Sequence, residues 1–405
     1  ASDVYKRQVV DYGFRTYTLL PTSPLVPSAP AVGSPARARA AGEFTVASFN
    51  LQRLFDTVND PNVSDVAVTP AAYANRLIKL SATVRDYLHT PDVLGVQEAE
   101  NLQVLQDLAA RIDQDATAAG QPAPGYAAHL VEGNDVGGID VGFLVKTRPV
   151  AGTVARVEVV DVVQEGKTTT WTDPSDGSAK LLNDRPPLRL RAVVNHPNGS
   201  SFPLTAVVVH QRSLNGIDST APDGATTEGN RVRLKRRTQS EFLANLLQAR
   251  QTADANERIA VLGDFNAFED SDGFVDVMGT IRGTPAPADQ VAVASSDLVD
   301  PDFVRLADTD DYSFVFDGNA QNLDHAIVNP PLVAATSARR LDHARVNADF
   351  HEIDRGTLDA RLADHDPLVV YLEVGTFADP AALFRDDFER GDFDRWSGVQ
   401  PPPGP

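Results

Sequence analysis

The chain has no cysteine, so neither a disulfide framework nor a thiolate metal site can form. Positive charge is also scarce: 36 Lys and Arg stand against 56 Asp and Glu, a formal net charge of −20. That balance excludes a nucleic-acid binder working through bulk positive charge, and it excludes adhesion to an anionic membrane. An enzyme that holds a divalent cation escapes part of the exclusion, because the ion reverses the field at its site. No apolar run approaches the ~18 residues of a transmembrane helix. The single methionine, Met278, lies deep in the sequence. What the chain does have is 405 residues of which 42% are apolar, enough for a sizeable core.

One stretch organises the rest: RIAVLGDFNAFED, residues 258–270. Its β-branched first half predicts a buried strand, and Gly263 breaks the run. Asp264 and Asn266 follow at a spacing of two, which puts a carboxylate and a carboxamide on one side of an extended chain end. Open α/β sheets bind ligands just past the carboxyl ends of their strands. An acceptor beside a donor/acceptor suits a metal-bound water or a phosphate oxygen. The competing reading is an Asx-rich turn that caps the next helix.

The opening SDVYKRQ looks like a translated sequencing adapter, so residues 1–8 are set aside and the chain is expected to be a piece of something longer. Residues 9–20 are strand-like and read as the remnant of an upstream domain. Residues 21–42 have the Pro/Ala/Ser composition of a linker. From 43 the pattern is strand, helix (70–88), strand (93–96), helix (102–112), the α/β signature. After Tyr126 come short strands separated by glycine-rich and polar turns, predicting a largely antiparallel meander. Helical period returns over 231–249, and the domain is expected to close near 375. Residues 376–405 read as a linker and the truncated start of a C-terminal module. Loops around 163–184, 211–229 and 338–362 are long.

Nine polar residues stand at the ends of short apolar runs: Asn50, Glu98, Asp140, His210, Asp264, Asn266, Asp324, Asp364 and His365. A polar residue at one strand end is ordinary. Acid, amide and imidazole groups at so many are not. His325, in LDHAIV, reads as structural, and His89, His129, His196 and His343 as surface or satisfied histidines.

At these residues the chain resembles the endonuclease/exonuclease/phosphatase superfamily. The matching pieces are SFNLQ, GVQEAEN, IDVGFLV, NDRPPL, VVVHQRS, GDFNA, LDHAIV and DHDPLVV, in the family's order across residues 44–374. QEAENLQVLQDLA and the flanking-module layout look most like bacterial extracellular nucleases.

The resemblance implies a four-layer α-β-β-α sandwich over 43–375, with two mainly antiparallel sheets inside and helices outside. It implies a secreted, Mg²⁺-dependent phosphodiesterase that hydrolyses DNA or RNA by in-line attack of water; Mn²⁺ and Ca²⁺ are alternative ions. Glu98 would be the main metal ligand, with Asn50 beside it and Asp364 in support. Asp264 would activate the water and Asn266 hold a phosphate oxygen. His365 paired with Asp324, and His210 paired with Asp140, would be two imidazole–carboxylate couples. Arg185 in NDRPPL would grip the phosphate with its guanidinium fork. Gln52 stands where some relatives carry an acidic second-metal ligand, which weakens a two-metal scheme.

No stable protein partner is implied, and the catalytic domain is expected to be monomeric within a multidomain chain. The five basic residues of RVRLKRR, residues 231–237, are candidates to track a polymer's phosphates. Two rivals stand beside this reading. One is a sphingomyelinase-like or small-phosphoester hydrolase, disfavoured by the apparent lack of an aromatic loop. The other is a catalytically dead binding module.

Overall fold

The expected strand ending at Asn50 is real and longer than its apolar run: β1 spans Glu43–Leu54. A computed structural model describes residues 9–13, 16–20, 33–61, 63–351 and 360–377. The adapter-like start, most of the expected linker and nearly all of the expected C-terminal module lie outside the described residues. Contacts divide the chain between residues 32 and 33. The first unit contains an antiparallel hairpin, Val9–Gly13 with Thr16–Leu20.

The second unit begins at Gly33, earlier than expected. Ala36 is buried and Arg37 pairs with Glu43, so residues 33–42 pack on the domain instead of acting as linker. After β1 come α1 (Pro70–Ala82), β2 (Val93–Ala99), α2 (Leu102–Ala118), β3 (Tyr126–Leu130) and β4 (Asp140–Lys146). A π turn, Thr83–Tyr87, extends α1 over the helical stretch expected to residue 88. Next are β5 (Val157–Gln164), β6 (Leu188–Asn195), β7 (Ser201–His210), α3 (Glu228–Ala253) and β8 (Ile259–Asp264). The chain continues with α4 (Val277–Arg282), β9 (Val304–Leu306), β10 (Asp324–Val328) and α5 (Pro330–Ala335). It ends with β11 (Ala338–His343) and β12 (Leu368–Glu373). β11 is an edge strand inside what the sequence reads as a long loop.

Two six-stranded sheets result, ordered β11-β12-β1-β2-β4-β3 and β9-β10-β8-β7-β6-β5. Only β1/β2 and β7/β8 pair in parallel within them. Alternation along each strand sorts the core into three layers. Val46, Val93, Val208 and Leu262 fill the space between the sheets. Ala47, Leu94 and Val96 face Leu80, Leu105 and Leu108 of the helices on one side. Val207, Val209 and Val261 face Leu243, Leu247 and Met278 on the other. The architecture is the expected α-β-β-α sandwich. Among the described residues no helix is long and apolar enough to cross a membrane.

Candidate active site

The period of a strand explains why the site lies between the sheets. Val208, Leu262 and Ala326 belong to the inter-sheet core, so residues two positions away project into the same gap. Those residues are His210, Asp264 and Asp324, which stand in register on the adjacent strands β7, β8 and β10. Gly263 lets β7 and β8 run this closely at their ends: it has φ +144°, and a Cβ there would sit 2.1 Å from the Val209 carbonyl oxygen. Opposite, Phe44, Val46, Ser48 and Asn50 share the inward face of β1.

Glu98 breaks the alternation. With Leu94 and Val96 facing the helices, a regular strand would turn Glu98 the same way. Instead the register of β2 against β4 slips between Gln97 and Ala99, and Glu98 takes φ +60°. This bulge turns its carboxylate into the site, where the Asn50 amide nitrogen donates to it at 3.3 Å. The same nitrogen donates to Asp264 Oδ2 at 3.2 Å, tying the two sheets together across the catalytic gap.

Around Asp264 the polar groups close in. His210 Nε2 lies 3.5 Å from Asp264 Oδ2 and 3.9 Å from Glu98 Oε1. His365 Nε2 lies 4.0 Å from Asp264 Oδ2. On its other side, His365 Nδ1 is 2.6 Å from Asp324 Oδ2. The Ser313 hydroxyl donates to that same oxygen at 2.6 Å. Asn266, also left-handed at φ +49°, donates its backbone N–H to Asp264 Oδ1 at 2.8 Å. The site opens to a cleft of 670 Å³ walled by Arg185, Asn266, Phe314, Asp364 and His365, among others.

Burial sets the protonation states. It pushes the Asp264 carboxyl up to about 7, with Asp324 adding to the rise and His365 opposing it. Burial alone would lower His365, but Asp324 and Asp264 outweigh it and hold the imidazole well above its usual value. His210 has no such support: burial drives it well below, and Arg185 and His365 add to the fall. The two histidines are therefore an imidazolium and a neutral imidazole in one gap.

Eight of the nine strand-end residues gather here. Asp140 does not. No hydrogen bond joins it to His210; its carboxyl is buried beside Glu132 and raised to about 8 by burial and by that neighbour. His210 Nδ1 is buried with no hydrogen-bond partner, so the expected second couple is absent. The Asn50 side-chain Oδ1 accepts from the Gln52 backbone N–H at 2.9 Å, which leaves one of its lone pairs unused.

Arg185 lines the cleft but is fastened to the His210 and Gln211 carbonyls and to Asp135. The basic run at the start of α3 is consumed inside the molecule. Arg231 pairs with Asp173, Lys235 with Asp184 and Arg237 with Glu241, while Arg236 is fully buried. Glu100 is buried and accepts from the Asp56 backbone N–H at 2.5 Å. His325 is structural as read, its Nε2 lying 2.8 Å from the Ala267 carbonyl. Sequence reasoning missed Ser313 and Phe314, whose ring packs 4.8 Å from the His365 imidazole; YSFVF carries no signal for either role.

Residues 45–196 match the Endonuclease/Exonuclease/phosphatase family. Over those residues the chain is similar to that family. Similar solved structures include an endonuclease/exonuclease/phosphatase family protein from Bacteroides thetaiotaomicron, 15% identical with TM-score 0.44, covering 82% of this chain and 97% of that one. A mannosyl-6-phosphatase of Bacteroides thetaiotaomicron is 14% identical with TM-score 0.44, covering 81% and 99%. Truncated Caenorhabditis elegans TDP2 is 13% identical with TM-score 0.45, covering 82% and 98%. No curated protein matches the chain in sequence.

The superfamily implies a divalent metal ion, and the donor set here fits one. Glu98 is raised by burial and by the like charge of Asp364, a repulsion that a cation between them would relieve. Asp264, Asp324 and His365 also approach closely, all within 4.8 Å. That group is the poorer cage, because an imidazolium whose Nδ1 already serves Asp324 has no lone pair to offer.

Proposed function

We propose that this superfamily domain is a Mg²⁺-dependent phosphodiesterase acting on DNA or RNA. The observation that supports it best is the single buried carboxylate of Asp264, reached by Asn50, His210 and His365 from both sheets. A phosphodiester is an anion attacked by a poor nucleophile. The site offers what that reaction needs: a base near neutrality, a fixed cation and the Asn266 carboxamide at the cleft.

Asp264 accepts the proton of the attacking water, its carboxyl lying close enough to neutral pH to do so. The His365 imidazolium, held by Asp324, stands beside the charge that develops on the phosphoryl oxygens. Asn266 keeps its amide nitrogen on the Gln211 carbonyl at 3.1 Å, which fixes the carboxamide facing the cleft. The neutral His210 is a hydrogen-bonding group near Glu98 and the leaving side. Glu98 and Asp364 would hold the metal, which would supply charge stabilisation to the phosphoryl group. The protein is proposed to work outside the cell as a monomeric domain.

A second reading, hydrolysis of a phospholipid or a small phosphoester, gains from one observation. The hairpin Phe314–Phe316/Asn319–Gln321 borders the site, and Phe316 is 57% exposed at its tip. This aromatic hairpin has no local signature in YSFVF. Digestion of circular and linear DNA, with and without chelator and beside sphingomyelin vesicles, tests both. Chelator-sensitive DNA cleavage supports the nuclease, and cleavage of the lipid alone supports the rival.

A further inference from the structure

We infer that the cleft next to the reacting site, walled by Arg53, Phe55, Val66, Val68 and Tyr73, receives the neighbouring nucleotide of a nucleic-acid strand, with Arg53 on its phosphate. This rests on the polymer reading above and names where the polymer runs.

The two clefts adjoin at shared residues. The second measures 540 Å³ and shares Arg53, Glu98 and Asp364 with the 670 Å³ cleft of the active site. Both lie within the ~300–1,000 Å³ of ordinary ligand sites. A strand whose scissile phosphate sits at Glu98 must leave in some direction, and this opening begins at the same carboxylates.

Arg53 is placed there by a strained backbone. The pairing of β1 with β2 breaks between Asn50 and Leu54, and Gln52 and Arg53 take φ +47° and +57°. Two consecutive side-chain-bearing residues in the left-handed region persist only where the surroundings impose it. The restraint is Arg76 of α1, whose guanidinium donates to the Leu51, Gln52 and Leu362 carbonyls. Leu51 and Leu54 stay in the core while Arg53 is turned out to solvent.

Its guanidinium makes no hydrogen bond or ion pair among the described residues, in a chain of net charge −20 and a cleft that carries two carboxylates. The arginines of the α3 run and Arg185 are all engaged. A fork of unengaged donors matches a phosphate. Behind it, the Tyr73 hydroxyl is tied to Asp107 at 2.9 Å, so the ring, Phe55 and the two valines form an apolar wall suited to a sugar or base.

The test is substrate length. Hydrolysis of a di-, tri- and tetradeoxynucleotide is measured for the wild type and for Arg53→Asn, since Asn tolerates a left-handed backbone while removing the guanidinium. A second variant, Val66→Glu, places a negative charge at a position already 59% exposed, where folding is not at risk. The subsite predicts that wild-type kcat/KM rises with length and that both variants lose that rise. For the tetranucleotide the loss should be about tenfold, in KM more than kcat, and for Arg53→Asn the log-log salt slope should fall by about one. A length gain preserved in both variants overturns the subsite alone. Equal losses on di- and tetranucleotide also overturn it, because Arg53 would then act on the reacting phosphate. A wild-type protein that cleaves a small diester but gains nothing from length overturns the polymer reading, and the subsite with it.

Discussion

Asp324 Oδ2 is shared by two donors, His365 Nδ1 and the Ser313 hydroxyl, each at 2.6 Å. The hydroxyl in turn accepts from the backbone N–H groups of Leu323 and Asp324, so the carboxylate is fixed before it fixes the imidazole. Asp324 and His365 therefore form one unit. The double variant Asp324→Ala/His365→Ala should be barely slower than the worse of the two singles. Losses that multiply would mean separate jobs, and steady-state kcat/KM for the three variants decides it.

Ser313 is a positioning residue. Ser313→Ala removes one hydrogen bond to a charged acceptor and should lower kcat about tenfold, with KM little changed. Double substitution with Asp324→Asn should show no further loss. An independent tenfold effect in the Asp324→Asn background would show that the hydroxyl acts elsewhere.

Metal binding at Glu98 and Asp364 has a readout apart from turnover. A cation that binds only the folded state raises Tm by mass action. Added Mg²⁺ should raise the Tm of the wild type, while Glu98→Gln should respond only at much higher concentration. An unchanged Mg²⁺ response in that variant would place the ion elsewhere.

Asp140 gives a stability signature. Its folded pKa, about 8, lies above the ordinary carboxyl value because of burial and Glu132. A raised carboxyl means the folded state holds the proton more tightly, so this group's support for folding is full below the unfolded value and is lost as pH rises towards about 8. Asp140→Asn should therefore gain Tm relative to the wild type, more at about pH 9 than at about pH 5, and it should keep most of its turnover. A turnover loss matching that of His210→Ala would restore the His210–Asp140 couple that the structure lacks.

Most of the architecture was legible because apolar periodicity decides it. The run at 259–262 and its Asp264 end, the helix beginning at Pro70 and the antiparallel meander all follow from side-chain spacing. Strand-end chemistry located Asp264, His210, Asp324 and His365, since residues at equivalent ends of adjacent strands must meet. What was not legible depends on departures from regular geometry or on tertiary partners. Alternation alone would turn Glu98 towards the helices, and only the bulge brings it to the site. RVRLKRR looked like a phosphate track because the sequence does not show Asp173, Asp184 and Glu241 waiting to pair with it. Nothing in the sequence singles out Arg53, because neither the left-handed turn nor its Arg76 clamp has a local signature. The hairpin that carries Phe316 was hidden for a similar reason, its strands being only three residues each.

Water, activated at Asp264, is proposed to attack a phosphodiester. Hydrolysis of a DNA oligonucleotide in ¹⁸O-water with Mg²⁺, by wild type and by Asp264→Asn, tests it most directly. One solvent oxygen is expected in each newly formed terminal phosphate. A rate loss of at least about a thousandfold is expected in the folded variant, the scale of removing a group that acts on the transition state. Products without solvent oxygen, or an Asp264→Asn variant that cleaves at the wild-type rate, would contradict it.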